Sequence, residues 1–250
     1  MFNQPIPIVT KNLLILNGLF FGAMFFFDST FHINLNQYLA LHYWASPDFQ
    51  PYQLISYMFM HGNFQHILFN MFGVWMFGSA IENYWGPKRF MVFYFATGIG
   101  AGLIQLLTIY LQIQNVLPGI PPELIPIANQ GDLNYINDAL QHYAGQVNMD
   151  NLQSYFFLIK STVVGASGSL FGLLLAFGMM FPNTPIYLMF IPIPIKAKYM
   201  VTGYGLLELY SGLANNPHDN IAHFAHLGGM LFGIILILYW KKKGSFYKPW

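Results

Sequence analysis

The chain has 250 residues, of which 55% are hydrophobic and 18% aromatic, while only 8% are charged. Soluble domains carry about 25% charged residues, so the composition excludes an ordinary soluble domain and points to a polytopic membrane protein. A formal net charge of +1 argues against a nucleic-acid partner, and the absence of cysteine excludes a disulfide framework and thiolate metal sites.

A bilayer-crossing helix needs about 20 mainly apolar residues. The first apolar segment, residues 12–27, has no small-residue cleavage site after it and reads as a retained span. An outside loop at 28–66 follows, rich in rings such as Tyr38, Trp44 and Tyr52, which favour the headgroup region. The second span is expected at 67–85 and the third at 90–111. A long outside loop, 112–161, begins with Pro118, Pro121, Pro122 and Pro126. A loop of that length needs its own structure or a function, and residues 132–146 read as a short surface helix. The fourth span is placed at 162–181. The fifth, at 199–213, is short and carries Glu208, and the sixth is 221–240. The expected fold is an all-α bundle of six transmembrane helices, forming a single integral membrane domain over 1–250.

Charge orients the bundle. With a cytoplasmic N-terminus, the inside segments 1–11, 86–89, 182–198 and 241–250 hold nine of the ten Lys and Arg residues, Lys160 being the exception. Asp28, Asp48, Glu123, Asp132, Asp138, Asp150 and Asp219 fall outside. The positive-inside rule therefore places both termini in the cytoplasm, as an even number of spans requires.

In that topology spans two, four and six all run from outside to inside. His66 and Asn70 begin span two, Ser167 lies near the start of span four and His226 near the start of span six. At about 1.5 Å per residue, Ser167 and His226 both sit roughly 7–8 Å into their helices. All four can share one depth. Gly168 and Gly172 on span four, with Ala225, Gly229 and Gly233 on span six, form small-residue ridges that let helix backbones close together in lipid. A serine hydroxyl beside a neutral imidazole is a nucleophile with its base, so Ser167 and His226 are the candidate pair. Asn70, His66 and the Ser167 backbone N–H are candidate donors to an oxyanion, the first two sharing one helix face. Asp219, seven residues before His226, lies too near the surface to orient it, so a Ser–His dyad is expected. Glu208 is expected to make a structural hydrogen bond.

His66-Ile67-Leu68-Phe69-Asn70, Gly165-Ala166-Ser167-Gly168 and Ala225-His226-Leu227-Gly228-Gly229-Met230-Leu231-Phe232-Gly233 together resemble the three signatures of the rhomboid intramembrane serine proteases. They occur in that family's order, on the expected second, fourth and sixth helices, and the resemblance covers about residues 10–240. It implies that Ser167 is the nucleophile, His226 the base, and His66 and Asn70 part of the oxyanion hole. It implies single-span membrane proteins as substrates, entering past the fifth helix, and Phe171 at an aromatic position packed on the histidine. The Trp-Arg pair common in the family's first outside loop is replaced by Tyr52-Gln53, which implies a different anchoring of that loop.

Other classes fit less well. A metal site could draw on His61, His66, His223 and His226, but there is no H-E-x-x-H motif, no cysteine and no carboxylate expected close to these histidines, so neither metal nor cofactor is expected. A catalytically inactive scaffold that binds membrane-protein clients would typically lack the serine or histidine. A transporter would call for polar groups at the midplane. The expected activity is therefore serine endopeptidase cleavage of transmembrane-helix proteins. The expected setting is a bacterial cytoplasmic membrane, with the site opening to the non-cytoplasmic side.

Overall fold

The structure, a computed structural model, describes residues 5–130, 148–188, 191–214 and 221–244. It is mostly helical, with helices at all six expected positions. Among the described residues, three are long and apolar enough to cross a membrane by themselves: Ile8–Phe31, Pro87–Gly119 and His223–Lys242. The expected surface helix at 132–146 lies outside the described residues.

Helix α1 (Ile8–Phe31) starts without a side-chain cap of its own. Its first amides are held instead by Glu82, whose carboxylate accepts from Val9 N at 2.9 Å, Thr10 N at 2.7 Å and Thr10 Oγ1 at 2.8 Å. A negative group at a helix N-terminus satisfies the orphan N–H groups and the macrodipole together. Short helices α2 (Asn36–Leu39) and α3 (Gln53–Ser56) structure the segment between α1 and α4. Here Gln53, fully buried, ties the loop together. Its Oε1 accepts from His42 N and Gln50 N, and its Nε2 donates to the carbonyls of Tyr38 and Asp48. The segment expected as the second span is built end to end from α4 (Phe64–Gly73), a π-helical turn (Val74–Gly78) and α5 (Ser79–Trp85). Asn63 caps it, accepting from His66 N at 2.8 Å.

Gly86, with φ 80°, separates α5 from α6 (Pro87–Val116), which has proline in its first turn. The segment expected as a long loop is largely helical where described: α7 (Leu124–Gln130) and α8 (Met149–Lys160) pack together, and Tyr155 Oη donates to Asn129 Oδ1 at 2.8 Å.

Among the described residues, two small antiparallel sheets interrupt the expected all-α pattern. Strand β1 (Leu41–His42) pairs with β2 (Thr162–Val163), so the fourth span does not start at residue 162. Helix α9 (Ser167–Met180) begins at Ser167 itself. The β-branched run Thr162-Val163-Val164 followed by Gly165 at φ 123° ends the apolar stretch as extended chain. Hydropathy alone does not distinguish that from helix. A hairpin of β3 (Pro185–Leu188) and β4 (Ile191–Lys196) fills the next connection, before α10 (Ala197–Ala214) and α11 (His223–Lys242).

Helices α6, α9 and α11 pack most extensively on one another, with α9 buried along most of its length. On the periphery, α1 leaves Ile15, Leu19, Phe25 and Phe26 exposed, and α10 leaves Leu206, Leu207, Tyr210 and Leu213 exposed. Apolar surface that extensive suits lipid rather than water. The chain is an integral membrane protein.

Candidate active site

Ser167 is the first residue of α9, so its backbone N–H has no intrahelical acceptor and stands at the positive end of the helix. The chain is aimed there by Gly165. Its N–H donates to the Tyr57 carbonyl at 2.9 Å, while Tyr57 Oη donates to the Gly98 carbonyl at 2.6 Å. The β1–β2 pair pins the preceding residues to the segment between α1 and α4.

From α11, His226 places Nε2 2.8 Å from Ser167 Oγ. The backbones come this close because of glycine: a Cβ on Gly229 would collide with the carbonyl oxygen of Gly168, and one on Gly228 would lie 2.8 Å from Ile104 Cβ. Phe171, one turn beyond Ser167, stacks flat on the His226 ring, with centroids 4.2 Å apart and planes 7° from parallel. That contact fixes the ring plane, leaving its edge nitrogens to point outward.

His66 and Asn70, four residues apart on α4, flank the turn before Ser167. A Cβ at Gly165 would lie 2.7 Å from His66 Nε2 and 3.5 Å from Asn70 Nδ2. Asn70 is only 4% exposed, and its Nδ2 has no hydrogen-bond partner among the described residues. A buried amide donor left unpaired costs about 1–3 kcal/mol. Gly62 N reaches His66 Nδ1 at 3.4 Å, a long contact that favours the tautomer with its proton on Nε2. All four residues expected at the site are thus gathered around the start of α9.

The structure corrects one expectation directly. A carboxylate does reach His226: Glu208 Oε2, from α10, lies 2.9 Å from His226 Nδ1 and 2.6 Å from His223 Nδ1. Sequence distance along α11 pointed only to Asp219, whereas the partner comes from a neighbouring helix. A usable signal was present, because Gly205, Glu208 and Gly212 share one face of α10. The two glycines bring that face against Met230 and Phe224 of α11. The depth comparison applied to Ser167 and His226 would have reached Glu208 too.

The four histidines weighed as metal ligands do not form one group. Among the described residues, the metal-capable cluster is Glu208, His223 and His226, with ligand atoms within 4.8 Å of one another. His61 instead packs edge-on to His66, centroids 5.1 Å apart. It is fully buried, and burial first, then the neighbouring His66, pushes its pKa down to about 4, so it is neutral at physiological pH.

Comparison with known proteins agrees with this geometry at the level of family. The chain matches the Rhomboid domain over residues 48–114 and 137–243. The chain belongs to the rhomboid family. It is 24% identical over 195 residues to Rhomboid protein 1, mitochondrial, of Saccharomyces cerevisiae, which covers 76% of this chain and 42% of that protein. It is 25% identical over 188 residues to RHOMBOID-like protein 6, mitochondrial, of Arabidopsis thaliana, covering 75% and 43%. With Rhomboid protease GlpG of Klebsiella pneumoniae it shares 32% identity over 68 residues, 27% of this chain and 25% of the other. The chain thus spans less than half the length of the first two relatives. Within the rhomboid frame, the departure at Tyr52-Gln53 has a structural counterpart. Gln53 makes four backbone hydrogen bonds inside the loop, and Tyr52 Oη donates to the Tyr38 carbonyl at 3.0 Å.

Proposed function

We propose that this rhomboid is an intramembrane serine endopeptidase, in which Ser167 attacks a peptide carbonyl and His226 is the general base. The observation that carries this reading is the 2.8 Å contact between His226 Nε2 and Ser167 Oγ, in a site with unpaired donors beside it. His226 takes the hydroxyl proton as the ester bond forms and returns it to the leaving amine as the peptide C–N bond breaks. A water activated the same way then hydrolyses the acyl-enzyme. The negative oxygen formed at each addition would be met by Asn70 Nδ2, His66 Nε2–H and the Ser167 N–H. One such donor is worth about 3–4 kcal/mol.

The substrate class follows from where the site opens. A helix of 14 residues spans about 21 Å, short of a hydrocarbon core about 30 Å thick. Ser167 therefore lies below the membrane surface, where the chain before it is irregular. Such backbone is tolerated at that depth only when buried in protein or lining a wet cavity. A peptide bond reaching it would come from a membrane-embedded segment with its helix locally opened, which supports single-span membrane proteins as substrates. We place six spans in one integral membrane domain, both termini in the cytoplasm and the site on the opposite side, on the distribution of basic residues. The named mitochondrial relatives add an organelle membrane beside the bacterial one as a setting.

The test is cleavage by purified protein in liposomes of a single-span substrate carrying a helix-destabilising residue near its outer end. Ser167→Ala and His226→Ala should each abolish product while leaving the thermal midpoint in place. Wild-type rates in Ser167→Ala would overturn the mechanism. Substrate capture without cleavage by the wild type would identify a scaffold instead.

A further inference from the structure

We infer that Glu208 is a positioning residue for His226, completing a Ser167–His226–Glu208 relay across three helices. This rests on the reading of His226 as the general base. The imidazole is bridged: Nε2 faces Ser167 Oγ at 2.8 Å and Nδ1 faces Glu208 Oε2 at 2.9 Å. For Nε2 to accept the serine proton, Nδ1 must carry the ring's own proton, and that N–H needs an acceptor. Nδ1 is buried and makes no hydrogen bond among the described residues, so the carboxylate is the acceptor within reach. The contact is out of line for a straight bond in the resting protein, where His223 takes the aligned position on the same oxygen at 2.6 Å. Catalytic hydrogen bonds often tighten only when substrate is bound.

The placement of Glu208 argues against mere packing. It is the sole acidic residue of α10, its side chain is 13% exposed, and its helix otherwise shows leucine and tyrosine outward. An ionisable group inside a span is costly and is retained where it has a partner and a task. Gly205 and Gly212, one turn before and after on the same face, let α10 approach α11 until a Cβ would lie 3.3 Å from Met230 Cε and 3.1 Å from Phe224 Cε2. That approach is what puts a glutamate from the peripheral helix onto a histidine of the central one. The carboxylate would hold the tautomer and ring orientation that the Phe171 stack leaves free to slide. It would also stabilise the imidazolium formed when Ser167 attacks.

The experiment compares wild type, Glu208→Gln, Glu208→Asp and His226→Ala in the liposome cleavage assay. Folded protein is counted by the amplitude of the cooperative thermal melt of each preparation. Glu208→Gln keeps size and polarity but loses the charge. Its kcat per folded site should fall about 10²-fold with KM nearly unchanged, and Glu208→Asp should recover part of that loss. A Glu208→Gln variant with kcat within twofold of wild type, alongside an inactive His226→Ala, overturns the relay and leaves the proposed protease intact. Activity lost only in proportion to folded sites, or by a raised KM alone, overturns it in favour of packing. Wild-type cleavage that chelation abolishes and zinc restores overturns it in favour of a metal centre on Glu208, His223 and His226. Full activity in His226→Ala would remove the base reading itself, and the relay with it.

Discussion

Two carboxylates sit among the helices of this rhomboid, Glu82 buried and Glu208 largely enclosed, one near each end of the bundle, and their surroundings differ in kind. Glu82, 3% exposed, is saturated by two backbone N–H groups and a hydroxyl from the first turn of α1. Every donor it meets is fixed and holds its proton. Glu208 meets two imidazoles, one of which touches the candidate nucleophile. A carboxylate that satisfies a helix terminus holds the fold; one that satisfies a titratable ring acts on what that ring touches. The same residue type in a similarly greasy setting thus serves assembly at one end and chemistry at the other.

That contrast is broken first at the chemical end. Ser167→Ala should reduce cleavage by at least about 10³-fold, and scanning calorimetry or a dye-based melt should show an unchanged midpoint, since the hydroxyl's described partner is only His226. Next in size is Asn70→Ala. Removing one oxyanion donor should lower kcat by about 10²-fold. Because Nδ2 has no partner in the resting protein, the stability change should stay below about 1 kcal/mol. Steady-state kinetics and a melt on the same preparation check both halves, and a large loss of stability with normal kcat would place Asn70 among the structural groups.

Glu82→Gln should behave in the opposite way. It leaves the α1 amides with a weaker, half-donating partner, so stability should drop by about 2–3 kcal/mol, while kcat per folded molecule stays at the wild-type value. A rate defect in the folded fraction would erase the distinction between the two carboxylates.

How much of this was legible in the sequence depends on the range of each interaction. Positions of six helices could be read from apolar runs, because burial in lipid imposes length and hydropathy locally. Ser167, His226, His66 and Asn70 could be brought together by asking which polar residues share a depth, a constraint carried by topology. Glycine spacing foretold that α9 and α11 would nearly touch, and Gly229 against the Gly168 carbonyl is that contact. The start of α9 was misplaced because Thr162-Val163-Val164 is as apolar as a helix, yet its register is fixed by pairing with Leu41–His42, some 120 residues earlier. Glu208 was singled out, but what it touches was missed for a related reason. Its partners lie on another helix, and only a face-by-face reading of α10 would have connected them. The role of Gln53 was equally hidden, since its four hydrogen bonds go to backbone groups that carry no sequence mark.

The last comparison separates a buried histidine that sets acid sensitivity from one that reacts. His61, just before α4, is fully buried, and burial first, then His66, pushes its pKa down from 6.5 to about 4. Above pH 6.5 both folded and unfolded chains hold it neutral, and it contributes no pH dependence. Between 6.5 and about 4 the unfolded chain takes up a proton that the folded site refuses, so stability falls as pH falls and levels off below 4. The whole effect is of order 3 kcal/mol at most, and less where water reaches the ring. In His61→Phe the slope of the thermal midpoint between pH 7 and 4.5 should be shallower than in wild type, whereas in Ser167→Ala it should be unchanged. If His61→Phe keeps the full wild-type slope, the acid sensitivity belongs to another group, and the fold of the segment between α1 and α4 does not depend on a neutral His61.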